Sequence, residues 1–310
     1  MKLMHLSDLH LGKRVNGFSQ IPDQKYILTE ILDLAGIQQP DAVLIAGDVY
    51  DKSVPSAEAV ELFDWFLTEL SRLDTDIFII SGNHDSAERI AFGAGLLSSA
   101  RVYVSPVYDG KIRTITKKDE FGPVHFCLLP FLKPAHVRPY FPEAAIETYS
   151  DAIETALQGV VQNPDERYVL LSHQLVTGAE RSESEELSIG GTDNIDAEVF
   201  KDFDYVALGH LHRPQNVGKN LRYCGTPLKY SFSEAGRSVG IIIEHIVSVA
   251  QLALIGHTGQ LHLIDPVPAL SPACIGKQGI YVELTGFILC KLQRLGDIAL
   301  LLSLTAGGKL

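Results

Sequence analysis

An α/β fold built around a mainly parallel sheet is what this sequence predicts, and three observations predict it. Short continuous apolar runs of strand length alternate with stretches of helical periodicity, the rhythm of strand–helix–strand units. The runs Ala42-Val43-Leu44-Ile45-Ala46 and Ile77-Phe78-Ile79-Ile80 are apolar at every position, as strands covered on both faces must be. Each such run then stops in Gly, Asp, Asn or His. In a parallel sheet those stops fall at the carboxyl ends of the strands, where ligands collect.

Taken in order, Lys2–Leu6 reads as a first buried strand and Ser7-Asp8-Leu9-His10-Leu11-Gly12 as the loop after it. Residues 23–38 set Ile27, Ile31, Leu34 and Ala35 on one helix face. The run 42–46 closes in Gly47-Asp48. A second helix over 56–73 starts at the N-cap candidate Ser56 and aligns Val60, Phe63, Leu67 and Leu70. The strand 77–80 ends in Ser81-Gly82-Asn83-His84-Asp85, the stretch around which the others are arranged.

From residue 102 the segments shorten. Strands are expected at 102–105, 111–116 and 124–129, a helix at 149–162, and a buried strand at 168–172 that leads to His173. Residues 178–191, rich in Ser and Glu, read as an exposed loop with a solvated acidic face. A last strong strand at 204–208 precedes Gly209-His210-Leu211-His212, and 222–227 reads as a strand and turn. Residues 1–244 form one unit by this reading, with 245–310 a separate C-terminal extension. That extension holds only Lys277, Lys291, Arg294 and Lys309 against Asp265, Glu283 and Asp297, sparse for a soluble surface.

At 310 residues, 46% hydrophobic and 21% charged, the chain has a globular composition and length for a large core. No leader segment and no membrane-length apolar run is visible. The four cysteines have neither zinc-site nor disulfide-framework spacing, so a reducing cytoplasm is the expected location and no membrane partner is expected. The net charge of −12 offers little attraction for a polyanion, although carboxylates that bind cations account for part of it.

Singly, a strand-end Asp can be an N-cap and a lone His a satisfied core residue. Together Asp8, His10, Asp48, Asn83, His173, His210 and His212 all fall at or just past strand ends, which share one edge in a parallel sheet. The set has oxygen and imidazole donors and no thiolate, which suits Mn²⁺, Fe²⁺ or Zn²⁺. Seven donors exceed what one open catalytic ion can use, and they suit two. Asp48 is the natural bridge, since a carboxylate offers one oxygen to each ion. Paired ions activate water and clamp a phosphate, leaving His84 to stabilise phosphate charge or protonate the leaving oxygen.

Asp8-x-His10, Gly47-Asp48, Gly82-Asn83-His84-Asp85, His173 and Gly209-His210-x-His212 together resemble the calcineurin-like metallophosphoesterase family. The wider stretches 5–12, 47–51, 207–212 and 230–234 are similar to its bacterial SbcD branch of nuclease subunits, over about residues 1–244. The resemblance implies a four-layered α/β/β/α sandwich. It implies two divalent ions, Mn²⁺ foremost, one on Asp8, His10, Asp48 and His212, the other on Asp48, Asn83, His173 and His210, with His84 catalytic. It further implies DNA as substrate, cut exonucleolytically at double-strand ends and endonucleolytically at hairpins, in repair, recombination and replication. The implied partners are an SbcC-type coiled-coil ATPase and a second copy of the chain, in a heterotetramer.

Three departures stand out. Asp51 lies where related nucleases often carry a histidine, Cys224 where serine is expected, and 245–310 resemble neither the capping subdomain nor the ATPase-docking helices of the branch. The extension therefore carries the expectation of weak DNA binding and poor ATPase recruitment beside intact diesterase chemistry. Two other readings share the fold: a small-molecule phosphodiesterase or phosphatase, which keeps every ligand, and a scaffold that has lost its ions.

Overall fold

The computed structural model describes residues 1–160, 162–180, 193–231, 239–246 and 280–286. The expected loop at 178–191, the stretch 230–234 and the extension beyond 246 therefore lie largely outside the described residues.

Twelve strands build two six-stranded sheets. In chain order they are β1 (Lys2–Leu6), β2 (Ala42–Ala46), β3 (Asp76–Ile80), β4 (Val102–Val104), β5 (Arg113–Asp119), β6 (Gly122–Leu129), β7 (Arg167–His173), β8 (Tyr205–Gly209), β9 (Gln215–Val217), β10 (Leu221–Tyr223), β11 (Val239–His245) and β12 (Ile280–Gly286). The first sheet runs β12-β11-β1-β2-β3-β4 and the second β9-β10-β8-β7-β6-β5. Strands β1 to β4 are mutually parallel, and so are β6, β7, β8 and β10. From the extension, β12 pairs in parallel with β11.

The inner faces of the sheets make one core, where Leu44, Phe78, Phe126, Val169, Leu171 and Ala207 meet. Phe78 and Phe126 stack across it with centroids 4.1 Å apart. Helices α1 (Ile21–Gln38) and α2 (Ala57–Ser71) cover the outer face of the first sheet, burying Ile27, Ile31 and Phe66 against Met4, Val43 and Ile77. Helix α3 (Tyr149–Leu157) covers the second with Ala152 and Ile153 against Cys127, Leu170 and Val206. The result is the four-layered α/β/β/α sandwich. Full burial of one side chain such as Phe66 contributes about 1.5–3 kcal/mol, so these layers are held by many such residues acting together.

Local sequence explains most boundaries. Ser56 Oγ accepts the Ala59 amide at 3.3 Å and caps α2 as its residue type predicts. Its buried face, however, is Ala59, Leu62, Phe63, Phe66 and Leu70, while Val60 is exposed. The apolar face is rotated from the expected one because Leu62 and Phe66 offer more area to the sheet than Val60 and Leu67. α3 stops at Leu157, short of residue 162, because Gly159 and Pro164 follow. Among the described residues no helix is long and apolar enough to cross a membrane.

Candidate metal centre

Register brings the strand ends level. Ala46 lies opposite Ile80 in the first sheet, and His173 opposite Gly209 in the second. The predicted ligands therefore gather not on one sheet edge, as a single parallel sheet would have it, but where the carboxyl edges of two sheets meet. Two contacts stitch the edges together. His173 Nδ1 donates to the Ala46 carbonyl at 2.8 Å, and the His210 amide donates to both Asp8 oxygens at 3.1 Å.

All eight expected side chains come together. Asp8, His10 and His212 form one group of donor atoms, His10, Asp48 and His84 a second, and Asp8, Asp48 and His173 a third, each within 4.8 Å. Asp48 Oδ2 stands 3.3 Å from His173 Nε2 and 3.7 Å from His10 Nε2. Asn83 Oδ1 lies 3.0 Å from both His173 Nε2 and His210 Nδ1, which joins His210 to the cluster. His84 differs from the rest: its side chain is 23% exposed, against 3% for Asp48.

The backbone is strained where the donors sit. Asp8, His10, Asp48 and His210 all have positive φ, at 54°, 44°, 48° and 97°. Such conformations cost side-chain-bearing residues energy and persist where surrounding structure enforces them. Close approach is enforced too. A Cβ at Gly82 would stand 2.1 Å from Asp48 Oδ1, and one at Gly209 would stand 2.0 Å from the Ala46 carbonyl oxygen. Only glycine lets the chain pass this near the cluster.

Electrostatics fit a cation. Burial holds His10 well below its ordinary pKa and lowers His210 to about 3, so both stay neutral imidazoles, the form that coordinates metal. His10 Nε2 faces His212 Nε2 at 3.2 Å, a spacing that leaves at least one lone pair turned toward another nitrogen. Burial raises Asp8 to about 6. Burial also opposes charge on His173, yet the Asp48 carboxylate prevails and raises the imidazole to about 9, so a proton between Asp48 and His173 meets a demand for positive charge. The donors present, with no thiolate among them, suit divalent metals.

Residues 1–214 match the family model of calcineurin-like phosphoesterases. The chain belongs to that family. It is 38% identical over 245 residues to the SbcD subunit of the nuclease SbcCD from Staphylococcus epidermidis, an alignment covering 77% of this chain and 64% of that protein. The chain thus spans 64% of the length of this curated relative. Among solved structures, a dimetal phosphatase from Danio rerio is similar with a TM-score of 0.43 and 11% identity over 78% of this chain and 91% of that one. The protein TT1561 of Thermus thermophilus has a TM-score of 0.43 and 14% identity over 73% of this chain and 89% of that one.

In this phosphoesterase two supporting side chains carry no signal of their role in the sequence. Asp85, within the quoted motif, accepts the amides of Val49 (3.1 Å), Tyr50 (2.9 Å) and Gly82 (2.9 Å), tying the loop after β2 to the loop after β3. Gln24, buried on α1, accepts the Gly12 amide at 3.0 Å and donates to the His10 carbonyl at 2.8 Å. The one hint of it is a polar residue on the same helix face as Ile27 and Ile31. Asp51 accepts Lys13 Nζ at 2.7 Å and lies 3.8 Å from His10 Nδ1, behind the cluster. Cys224 is buried with its thiol donating to the His5 carbonyl at 3.0 Å, and burial pushes its pKa upward.

Proposed function

We propose that this chain is the nuclease subunit of an SbcCD-type complex, a phosphodiesterase that holds two divalent ions and cleaves DNA. The observation that supports it is the central position of Asp48, whose Oδ2 lies 3.3 Å from His173 on one side and 3.7 Å from His10 on the other. Asp8, His10, Asp48 and His212 would hold one ion, and Asp48, Asn83, His173 and His210 the other. Mn²⁺ is the proposed metal. Bound there, the ions supply Lewis-acid activation of water and neutralisation of phosphoryl charge.

The chain's own part is to orient. His84 Nδ1 donates to the Asp51 carbonyl at 3.0 Å, which fixes the ring and turns Nε2 toward Asp48, 3.9 Å away. From this more exposed position His84 either stabilises charge on the phosphate or protonates the leaving oxygen. Exonucleolytic attack at double-strand ends, endonucleolytic attack at hairpins, work in the cytoplasm in repair, recombination and replication, a second copy of the chain and an SbcC-type ATPase complete the proposal. Its basis is the likeness to the staphylococcal SbcD protein.

Incubation of the purified chain and Mn²⁺ with linear duplex and hairpin DNA tests it, with a cyclic nucleotide as competitor substrate. Cleavage of DNA in preference to the cyclic nucleotide is expected. The reverse preference would make the chain a small-molecule phosphodiesterase. A pull-down with the ATPase subunit tests the partner.

A further inference from the structure

The turn after β6, Pro130-Phe131-Leu132-Lys133-Pro134, sets an aromatic ring beside the cluster that the chemistry above does not use. Phe131 is only partly buried and belongs to none of the three hydrophobic cores. Its ring neighbours are instead two imidazoles of the site. The centroid lies 6.5 Å from that of His210, with the planes 19° apart, and 6.3 Å from that of His173, with the planes 83° apart.

This placement is built rather than incidental. The Phe131 amide donates to the Ser81 carbonyl at 2.9 Å, and Gln174 Nε2 donates to the Leu132 carbonyl at 3.0 Å. Ser81 stands two residues before Asn83, and Gln174 directly follows His173. The turn is therefore pinned on both sides by neighbours of the candidate ligands, with a proline at each end to limit its backbone. Lys133, exposed, holds Nζ 5.8 Å from the Phe131 centroid. In a chain of net charge −12, a cation here is a local exception.

A large ring outside the core, fixed by backbone bonds and flanked by a cation at the rim of a phosphate-binding cluster, is what a nucleotide-reading surface needs. Aromatic faces stack any base, and a pre-ordered face loses little freedom on binding. We propose that Phe131 is the stacking platform for the base of a nucleotide whose phosphate enters the cluster, with Lys133 placed for the adjoining phosphate. The proposal rests on the phosphodiesterase reading above, and it makes the substrate a base-bearing phosphodiester rather than a simple alkyl one.

Calorimetric titration of the Mn²⁺-supplied protein with thymidine 5′-monophosphate and with 2-deoxyribose 5-phosphate tests it without turnover. The wild-type chain is expected to favour the base-bearing ligand about tenfold to a hundredfold. That ratio falls toward one in Phe131→Leu and is retained in Phe131→Tyr, with thermal melting confirming that both variants fold. Equal affinity of the wild-type chain for the two ligands, or a ratio unchanged in Phe131→Leu, overturns the platform and leaves Phe131 as packing for the imidazoles. Failure of the phosphodiesterase reading shows separately, as absence of DNA cleavage by a protein that still discriminates the two ligands.

Discussion

Asp48 and His84 are joined twice: the His84 amide donates to Asp48 Oδ1 at 2.9 Å, and the His84 imidazole Nε2 faces Asp48 Oδ2 at 3.9 Å. The carboxylate is thus oriented by the backbone of the residue whose side chain shares its open side. Rotation of Asp48 and loss of His84 are different perturbations, and they separate in experiment.

The first prediction concerns Asp48. Metal-loaded protein is expected to carry two ions per chain by elemental analysis, and Asp48→Ala to deplete both, because donors on either side of it lie within 4 Å of one oxygen. One ion retained at full occupancy in Asp48→Ala would rule out a bridging role.

The second concerns His84. Its ring is anchored by the Asp51 carbonyl rather than by the buried donors, so His84→Ala should keep both ions. The rate of diester hydrolysis should fall by roughly 10²–10⁴-fold, the usual contribution of a positioned proton donor. Loss of metal in the variant would make His84 a ligand, as its grouping with His10 and Asp48 allows.

Much of this centre is legible in the sequence because two periodicities end in it. Continuous apolar runs mark the strands, and the polar residue after each run gives Asp8, Asp48, Asn83 and His210 their places. What periodicity cannot give is which sheet each strand joins. Parallel strands β1 to β3 and β7 to β8 carry the same pattern, so one edge and two facing edges read alike. The same limit hides Asp85, whose carboxylate accepts amides from residues 36 and 35 positions away. Phe131 gives no signal either, since it lies in a proline-flanked turn without alternation. The buried face of α2 differs from the expected one because Leu62 and Phe66 continue a second apolar stripe beside Val60.

A third prediction follows from close packing. In Gly82→Ala the new methyl would lie 2.1 Å from Asp48 Oδ1 and 2.4 Å from the Asp48 amide nitrogen, so backbone must move. Strain of this kind costs about 1–3 kcal/mol, and the movement falls on Asp48 itself. Calorimetric melting should show a modest loss of stability together with a large loss of bound metal. Gly36→Ala serves as the control: it lies in α1 with nothing within 4 Å of an added Cβ, and should stabilise the fold by about 0.5–1 kcal/mol. Normal metal content in Gly82→Ala would mean that the two loops separate without consequence for the cluster.

The fourth prediction lies away from the centre, at the opposite ends of the strands. Arg167, buried at the start of β7, donates to Asp119 Oδ2 at 2.8 Å and Oδ1 at 2.5 Å, and to the Gly122 and Ile246 carbonyls at 2.9 and 3.2 Å. Burial opposes ionisation of Asp119, but the Arg167 hydrogen bonds outweigh it and hold the carboxyl below the usual range. A carboxyl depressed in the folded state contributes stability above its unfolded pKa of about 4, and that contribution drains away as pH falls below this value. Asp119→Ala, which leaves a buried guanidinium without its counter-charge, should cost roughly 3 kcal/mol at pH 7. Melting temperatures of wild type and variant are expected to differ by several degrees at pH 7 and to converge as the pH drops below about 4. A difference that stays constant across that range would assign the effect to packing rather than to the ion pair.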